Sequence, residues 1–116
     1  MNLRYGRDRR IRRHDDIARL FEHGRRAGNS VLTVLGRRNN LELTRAAVAV
    51  SSRHGNAVRR NRAKRLCREA FRLSQNQLRS GWDLVLMPRP GVRLTLAKLR
   101  QSLEVLVGRL NDQEEA

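Results

Sequence analysis

The chain has 116 residues, 26 of them basic and 11 acidic, so its formal charge at pH 7 is +15. This length predicts one domain over residues 1–116, because two separate cores would need a longer chain. No stretch approaches the ~18 consecutive apolar residues that a membrane span requires, and no apolar signal region follows the basic N-terminus. A single cysteine, Cys67, permits no internal disulfide. We therefore expect a soluble protein of the cytoplasm.

The basic residues are concentrated in the first two thirds of the chain. Residues 1–72 carry 20 basic and 6 acidic side chains, whereas residues 73–116 carry 6 and 5. Most are arginines, whose planar guanidinium can bind phosphate and stack on bases. A GC-rich genome would also favour arginine, but it would not explain the net charge. The charge favours a polyanionic partner, with nucleic acid ahead of an acidic membrane surface.

The N-terminal part of the chain predicts a basic arm followed by a short helix. Residues 1–13 hold six arginines and few apolar side chains, which is typical of a flexible arm. Across residues 15–23, apolar side chains recur at the spacing of one helix face, and Gly24 ends the segment. The side chains on that face are Ile17, Leu20 and Phe21.

Two segments in the middle of the chain have the composition of β-strands. They cover residues 31–35 and 45–51, and the asparagines at positions 39 and 40 predict the turn between them. The second strand is apolar on both faces, but its side chains are small, running Ala46, Ala47, Val48, Ala49 and Val50. Such a strand either packs very close to another element or forms the floor of a groove.

The rest of the chain predicts two longer helices and a buried strand. Residues 56–74 are predicted to form the first of these two longer helices. Residues 82–87 are predicted to form a strand covered on both faces, which Pro88 ends. Residues 96–110 repeat Leu and Val at helical spacing, and the acidic residues 111–116 are expected to fray. The order of elements is helix, strand, strand, helix, strand and helix, with room for one more short strand. This order predicts an α+β fold. We expect an α/β sandwich in which a small mixed sheet packs with about three helices.

The helix over residues 56–74 has one apolar and one basic face. At 100° per residue, the apolar stripe of Ala63, Leu66, Cys67, Ala70 and Leu73 lies opposite Lys64, Arg65, Arg68 and Arg72. Three arginines crowd the first turn, where the helix dipole disfavours each cation by ~0.3–1 kcal/mol. Like charges four residues apart cost ~0.2–0.5 kcal/mol per pair, and only Arg65 with Glu69 is a favourable pair of that spacing. Phosphate bound at the first turn would relieve both conflicts, whereas a merely solvated face would not.

The search for catalytic or metal-binding residues gives none. The three histidines are scattered, and one cysteine cannot complete a zinc site of the usual spacing. Asp15 and Asp16 could share a metal, but their place at the start of a helix favours capping and compensation of the helix dipole. Cys67 lies on the apolar stripe and is predicted to be buried rather than nucleophilic. His54 is interpreted as a surface-loop residue, with a phosphate contact as the alternative, and Trp82 as a core residue.

One motif within residues 50–72 is specific enough to indicate a family. It runs Val50-Ser51, Gly55-Asn56-Ala57-Val58, Arg60-Asn61-Arg62, Lys64-Arg65, Arg68-Glu69 and Phe71-Arg72. This pattern closely resembles the signature of the bacterial ribonuclease P protein subunit, since several residue types match at fixed spacing. The resemblance extends to residues 16–24, 82–86 and 96–110, which look like the family's first helix, buried strand and last helix.

The resemblance implies a function. In that family an RNA subunit uses magnesium to cleave the 5′ leader from precursor tRNA, and the small basic protein binds both the RNA subunit and the leader. It implies that this chain is the protein subunit of that endoribonuclease. The implied partners are the RNA subunit and precursor tRNA, and neither DNA nor a membrane is an implied partner. It also implies a left-handed strand–helix–strand crossover, against the right-handed connection that general rules favour.

The family's RNA-binding positions fall into two sets in this chain. The residues expected to bind RNA are Arg53, Asn56, Arg59, Arg60, Asn61, Arg62, Lys64, Arg65 and Arg68. The resemblance implies that the helix from Arg60 to Arg68 faces the RNA subunit. The residues expected to line a leader cleft, between the first helix and the sheet, are Ile17, Phe21, Val48, Val50 and Ser52. The family usually has an aromatic residue at the position of Ile17 and two lysines at Ser52-Arg53. Leader binding here is therefore expected to depend more on arginine and apolar contact.

Two other classes of protein share parts of this pattern. A ribosomal or other structural RNA-binding protein would have a similar size and charge, but is not expected to carry Arg60-Asn61-Arg62 in this context. A DNA-binding regulator would pair its basic helix with a second helix, whereas here a strand follows. The nucleic acid that copurifies with the protein distinguishes the three.

Overall fold

Residues 5–115 are described by the structure, a computed structural model, and they form three α-helices and a four-stranded β-sheet. The helices are α1 (His14–His23), α2 (Ala57–Ser74) and α3 (Leu96–Glu115). The strands are β1 (Arg25–Gly28), β2 (Leu32–Arg38), β3 (Arg45–Val48) and β4 (Trp82–Pro88). Short 3-10 helices cover Arg7–Arg9 and Ser52–His54. The predicted α+β class is confirmed.

β4 is an inner strand of the sheet, whose strand order is β1-β2-β4-β3. It pairs antiparallel with β2, aligning Val34 with Leu86, and parallel with β3, aligning Val48 with the same Leu86. The sheet is therefore mixed, as predicted. Parallel neighbours require a long crossover connection, and α2 lies within the connection from β3 to β4.

Helices cover both faces of the sheet, because successive strand residues point to opposite sides. α2 and α3 pack on one face around Phe71, Trp82 and Leu103, each of which is 0% exposed. Trp82 is thus a core residue, as predicted. α1 packs on the other face through a smaller buried cluster, formed by Ile11, Leu20, Leu35 and Val85.

Gly36 in β2 lets α3 lie close to the sheet. A Cβ atom at this position would come within 2.6 Å of a methyl carbon of Leu110 and 3.2 Å of the ring of Trp82. A side chain at this position would therefore require Leu110 to shift and its neighbours in the core to repack.

Both ends of the chain differ from the sequence prediction. The arm predicted to be flexible over residues 1–13 instead packs beside β3 from residue 5, and Ile11 is only 5% exposed. The tail predicted to fray continues α3 through Glu115, where Arg25 and Glu114 form an ion pair with a nitrogen–oxygen distance of 3.1 Å. Residues 1–4 of the arm and residue 116 of the tail lie outside the described residues.

Candidate nucleic-acid interface

The start of α2 is fixed by the two residues before it. Gly55 has a φ of 102°, a conformation that favours glycine. Asn56 is the N-cap, and its Oδ1 accepts a hydrogen bond from the N–H of Arg59 at 3.0 Å. The motif therefore begins the helix at Ala57 and places Arg59 and Arg60 in the first turn, at the positive end of the helix dipole.

The apolar face of α2 anchors the helix to the core. Ala63, Cys67, Ala70 and Phe71 are all buried, and the predicted stripe is correct apart from Leu66 and Leu73, which are half-buried. Burial raises the pKa of the Cys67 thiol to about 12, while the charge of Arg68 opposes the shift. The thiol is therefore protonated at neutral pH and behaves as a packed side chain, as predicted.

The opposite face of α2 presents cations to solvent. Arg60 and Lys64 are half-buried, and the Nε of Arg60 is enclosed without a hydrogen-bond partner among the described residues. We name the nine residues predicted to bind RNA, which lie on α2 and just before it, the basic helix face. Its exposed members are Arg53, Asn56, Arg59, Asn61, Arg62, Arg65 and Arg68.

The basic helix face is not neutralised from within the protein. Among the described residues, its arginines and lysine have no carboxylate within ion-pair distance. Glu69, predicted to pair with Arg65, instead accepts a hydrogen bond from Nε of Arg72 at 2.9 Å. This bond lowers the pKa of Glu69 and raises that of Arg72. The carboxylate of Glu69 is thereby paired with Arg72, and the charge of Arg65 has no acidic partner among the described residues.

A groove of about 350 Å³ lies beside β3, between α1 and α2. We name it the β3 groove, and its lining consists of Tyr5, Arg10, Ile11, Arg12, Ile17, Ala47, Val48 and Arg68. It brings together Ile17 and Val48 of the predicted cleft residues. Ala47 also packs toward the α1 side, so the small strand residues form a groove floor, one of the two options that the sequence left open.

The other predicted cleft residues lie outside this lining. Phe21 follows Ile17 by one helical turn, and its side chain is 54% exposed. β3 ends at Val48, so Val50 lies beyond the strand and is half-buried. Ser52 is exposed and begins the 3-10 helix that precedes α2.

Sequence reasoning missed the N-terminal residues of the groove. The hydroxyl of Tyr5 donates to the carbonyl of Ala46 at 2.6 Å, and the Tyr5 ring meets Phe71 edge-on with 5.4 Å between centroids. The guanidinium carbon of Arg10 lies 5.0 Å from the centre of the Tyr5 ring. The signal was weak, because Tyr5 and Ile11 stand among arginines in a segment with no helical or strand periodicity.

A second pocket, of about 230 Å³, is lined by α1, the end of β2 and the first residues of β3 and β4. Nε of Arg45 donates to Oδ1 of Asp83 at 2.8 Å, and Nδ2 of Asn39 donates to the same oxygen at 2.9 Å. The bond to Asp83 raises the pKa of Arg45. Asp16 lies 4.0 Å from Arg45, so it reaches into this network, whereas the N-cap of α1 is Arg13. The capping role predicted for Asp16 is therefore wrong, although its first-turn position suits the helix dipole.

His54 contributes to the structure near the start of α2. Nε2 of His54 lies 2.8 Å from the carbonyl oxygen of Pro88, which ties the turn before α2 to the end of β4. Within residues 5–115, no three His, Cys, Asp or Glu side chains are grouped so that they could hold a metal ion. In the same part of the chain, no helix combines the length and the apolar character needed to cross a membrane.

The chain is similar to known proteins over most of its length. The family described as Ribonuclease P matches residues 5–111. The ribonuclease P protein component of Haemophilus influenzae is 37% identical over 108 residues, covering 91% of this chain and 90% of that protein. The Brevibacillus brevis protein of the same name is 36% identical over 99 residues, covering 84% and 79%. The solved RNase P protein of Thermotoga maritima has a TM-score of 0.77 and 31% identity, covering 86% of this chain and 96% of that one.

Proposed function

Because the chain belongs to the ribonuclease P protein family, we propose that it binds RNA through two surfaces, which meet at Arg68. The chain is the protein component of a ribonucleoprotein endoribonuclease that matures tRNA. The basic helix face binds the RNA subunit. The β3 groove, with Phe21 beside it, binds the 5′ leader of precursor tRNA. The observation that carries the proposal is the row of exposed, uncompensated cations on a helix whose other face is fixed in the core.

The basic helix face suits a structured RNA. Its arginines project from a helix that is buried along one side, so their spacing is constant. Guanidinium groups bind phosphate oxygens in pairs, and the N–H groups of the first turn favour an anion at the same end. Phosphate contacts of this kind set register and supply affinity without reading bases, which is what assembly with a folded RNA requires.

The β3 groove suits a single strand. Ile17 gives it an apolar wall and Val48 an apolar floor, and Arg10, Arg12 and Arg68 give it cations within the same lining. A single-stranded RNA presents both unpaired bases and phosphates, so it matches both kinds of surface. Phe21, exposed one turn further along α1, supplies an aromatic face on which a base can stack.

Magnesium belongs to the RNA in this proposal. Within residues 5–115, no three His, Cys, Asp or Glu side chains are grouped as ligands for a metal ion. We propose that the ion and the hydrolysis belong to the RNA subunit, in line with the ribonucleoprotein family of the chain. The protein contributes by binding the RNA subunit and by holding the leader beside it.

Reconstitution tests this division of labour. We expect protein freed of RNA to leave precursor tRNA intact in magnesium, and to promote cleavage once the RNA subunit is added. Multiple turnover by RNA-free protein, lost when a single side chain is replaced, would overturn the proposal.

Copurification separates the proposal from its rivals. Protein isolated from cells at low salt should retain one RNA of a few hundred nucleotides. Ribosomal RNA in its place would favour a structural ribosomal role, and DNA would favour a regulator of transcription.

A further inference from the structure

Residues 5–12, which we name the strap, run along the outer edge of β3. The strap forms one parallel bridge, between Arg10 and Ala46. The N–H of Ile11 donates to the carbonyl of Ala46 at 3.2 Å, and the Ile11 side chain is buried against the α1 side of the sheet. The strap therefore covers the start of β3, and the strand residues that follow form the floor of the β3 groove.

Tyr5 attaches the strap to the rest of the protein. Its hydroxyl donates to Ala46 of β3 at 2.6 Å, its ring meets Phe71 of α2, and the guanidinium of Arg10 lies over the ring at 5.0 Å. Burial raises the pKa of Tyr5, and the charges of Arg10 and Arg68 partly oppose that shift. Tyr5, Arg10 and Arg68 all line the β3 groove. Tyr5 connects the strap, β3 and the helix that bears the basic face.

The charges of the groove come from two directions. Arg10 and Arg12 line it from the strap, and Arg68 lines it from α2. Protection of the sheet edge would explain charged side chains on the strap, but not their place in the lining of one groove together with Arg68. The lining instead gives an anionic chain contacts on both of its sides.

We propose that Tyr5 is a positioning residue of the β3 groove: by fixing the strap, it holds Arg10 and Arg12 across from Arg68, so that phosphates of a single-stranded RNA are contacted from both walls. The inference rests on the proposed function, because the leader is the single strand in question. Without Tyr5, Arg10 loses the aromatic surface beneath it. The strap must then be ordered when RNA binds, which weakens binding.

The test uses four variants of the full chain, each reconstituted with the RNA subunit. Tyr5→Ala removes the ring, Tyr5→Phe removes only the hydroxyl bond, and Arg10→Gln removes one wall charge. Arg109→Gln is the matched control, because Arg109 is exposed on α3 and its side chain contacts Gly28 at the far edge of the sheet. Dissociation constants are measured for precursor tRNA, mature tRNA and the RNA subunit at several salt concentrations.

We expect Tyr5→Ala to reduce the preference for precursor over mature tRNA by about fivefold to tenfold. It should also flatten the slope of log K against log[salt] for precursor binding by the amount that corresponds to about one phosphate contact. Arg10→Gln should show the same flattening with a smaller loss. Tyr5→Phe keeps the ring and should retain the preference within about twofold, because one neutral hydrogen bond contributes little net free energy. Arg109→Gln should match the unmodified protein, and all four should bind the RNA subunit with unchanged affinity.

Three results would overturn the inference. The first is an unchanged precursor preference in Tyr5→Ala and Arg10→Gln. The second is a loss of RNA-subunit affinity in Tyr5→Ala equal to its loss of precursor affinity, which would make Tyr5 a structural residue. The third applies if Tyr5→Ala does not fold. The inference is then overturned if Arg10→Gln retains the full preference for precursor over mature tRNA. An unmodified protein that itself shows no precursor preference would instead refute the proposed function, so the two failures are distinguishable.

Discussion

On the face of the sheet that carries α2 and α3, the described residues form one cluster of sixteen buried side chains, whereas the α1 face has a cluster of four. The first face holds the large residues, including Trp82 and Phe71. The second is bordered by small strand residues, by the β3 groove and by the Arg45–Asp83 ion pair. Stability is therefore concentrated on one side of the sheet. The other side can keep an open groove and exposed apolar residues at little cost to folding.

The largest expected effect is on the α2–α3 face. Leu103→Ala removes a side chain that is 0% exposed, and should lower the free energy of unfolding by about 2–5 kcal/mol. Ile17→Ala on the α1 face should cost only about 1 kcal/mol, because Ile17 is half-buried. Urea unfolding of the two variants measures both values. Equal losses would contradict the asymmetry between the faces.

The α1 face should depend on polar contacts where it lacks apolar ones. Asp83→Asn leaves Arg45 without the charged acceptor that both of its hydrogen bonds use, and should cost about 1.5–3 kcal/mol. Asp112→Asn changes an exposed carboxylate on α3 and should cost less than about 0.5 kcal/mol. Thermal unfolding compares the two. If Asp83→Asn left the stability unchanged, the network around Arg45 would add nothing to the stability of this face.

The basic helix face should contribute to binding and not to folding. Replacing both Arg62 and Arg65 by alanine should flatten the slope of log K against log[salt] for the RNA subunit by about 1.5–2. Stability should be unchanged or slightly higher, since like charges are removed from the helix. Replacing both Arg93 and Arg109 by alanine removes the same net charge from other exposed positions, and this double variant serves as the control. Equal slopes in the two double variants would show that α2 does not face the RNA.

The smallest expected effect is at Phe21. Phe21→Ser should reduce the preference for precursor over mature tRNA by about fivefold, or about 1 kcal/mol, at the low end for a lost base stack. Because the side chain is 54% exposed, stability should fall only slightly. Phe21→Trp should retain the preference. A variant that is strongly destabilised and still discriminates would identify Phe21 as a packing residue.

The elements with local signals were predictable from the sequence. α2 begins within one residue of the prediction because Gly55 and Asn56 encode its cap, and its faces follow from the periodicity of one segment. β4 carries an apolar run without alternation from Leu84 to Met87, which indicates a strand covered on both sides, and the structure places helices on both sides.

The features that depend on distant partners were not predictable in detail. β1 has a single apolar residue that is buried, Ala27, and exists as a strand through its pairing with β2. The strap looks like a charged arm until β3 is present to pair with it. The C-terminal turn of α3 is held by Arg25, from the opposite end of the sequence. The contacts of the strap and of the end of α3 span tens of residues, and β1 depends on its partner strand, so no pattern within these segments contains them.

The strand order also determines when the protein can fold during its synthesis. The inner strand β4 is made last, and β3 has no other strand to pair with among the described residues. While the ribosome is still making the first 81 residues, α2 lacks most of the core it will pack against. The apolar stripe and the arginines of the emerging chain are then exposed together, a state that is prone to aggregation or to non-specific capture by RNA. We expect a chain ending at residue 81 to show no cooperative unfolding by circular dichroism, and translation past β4 to be the step that commits the protein to its fold.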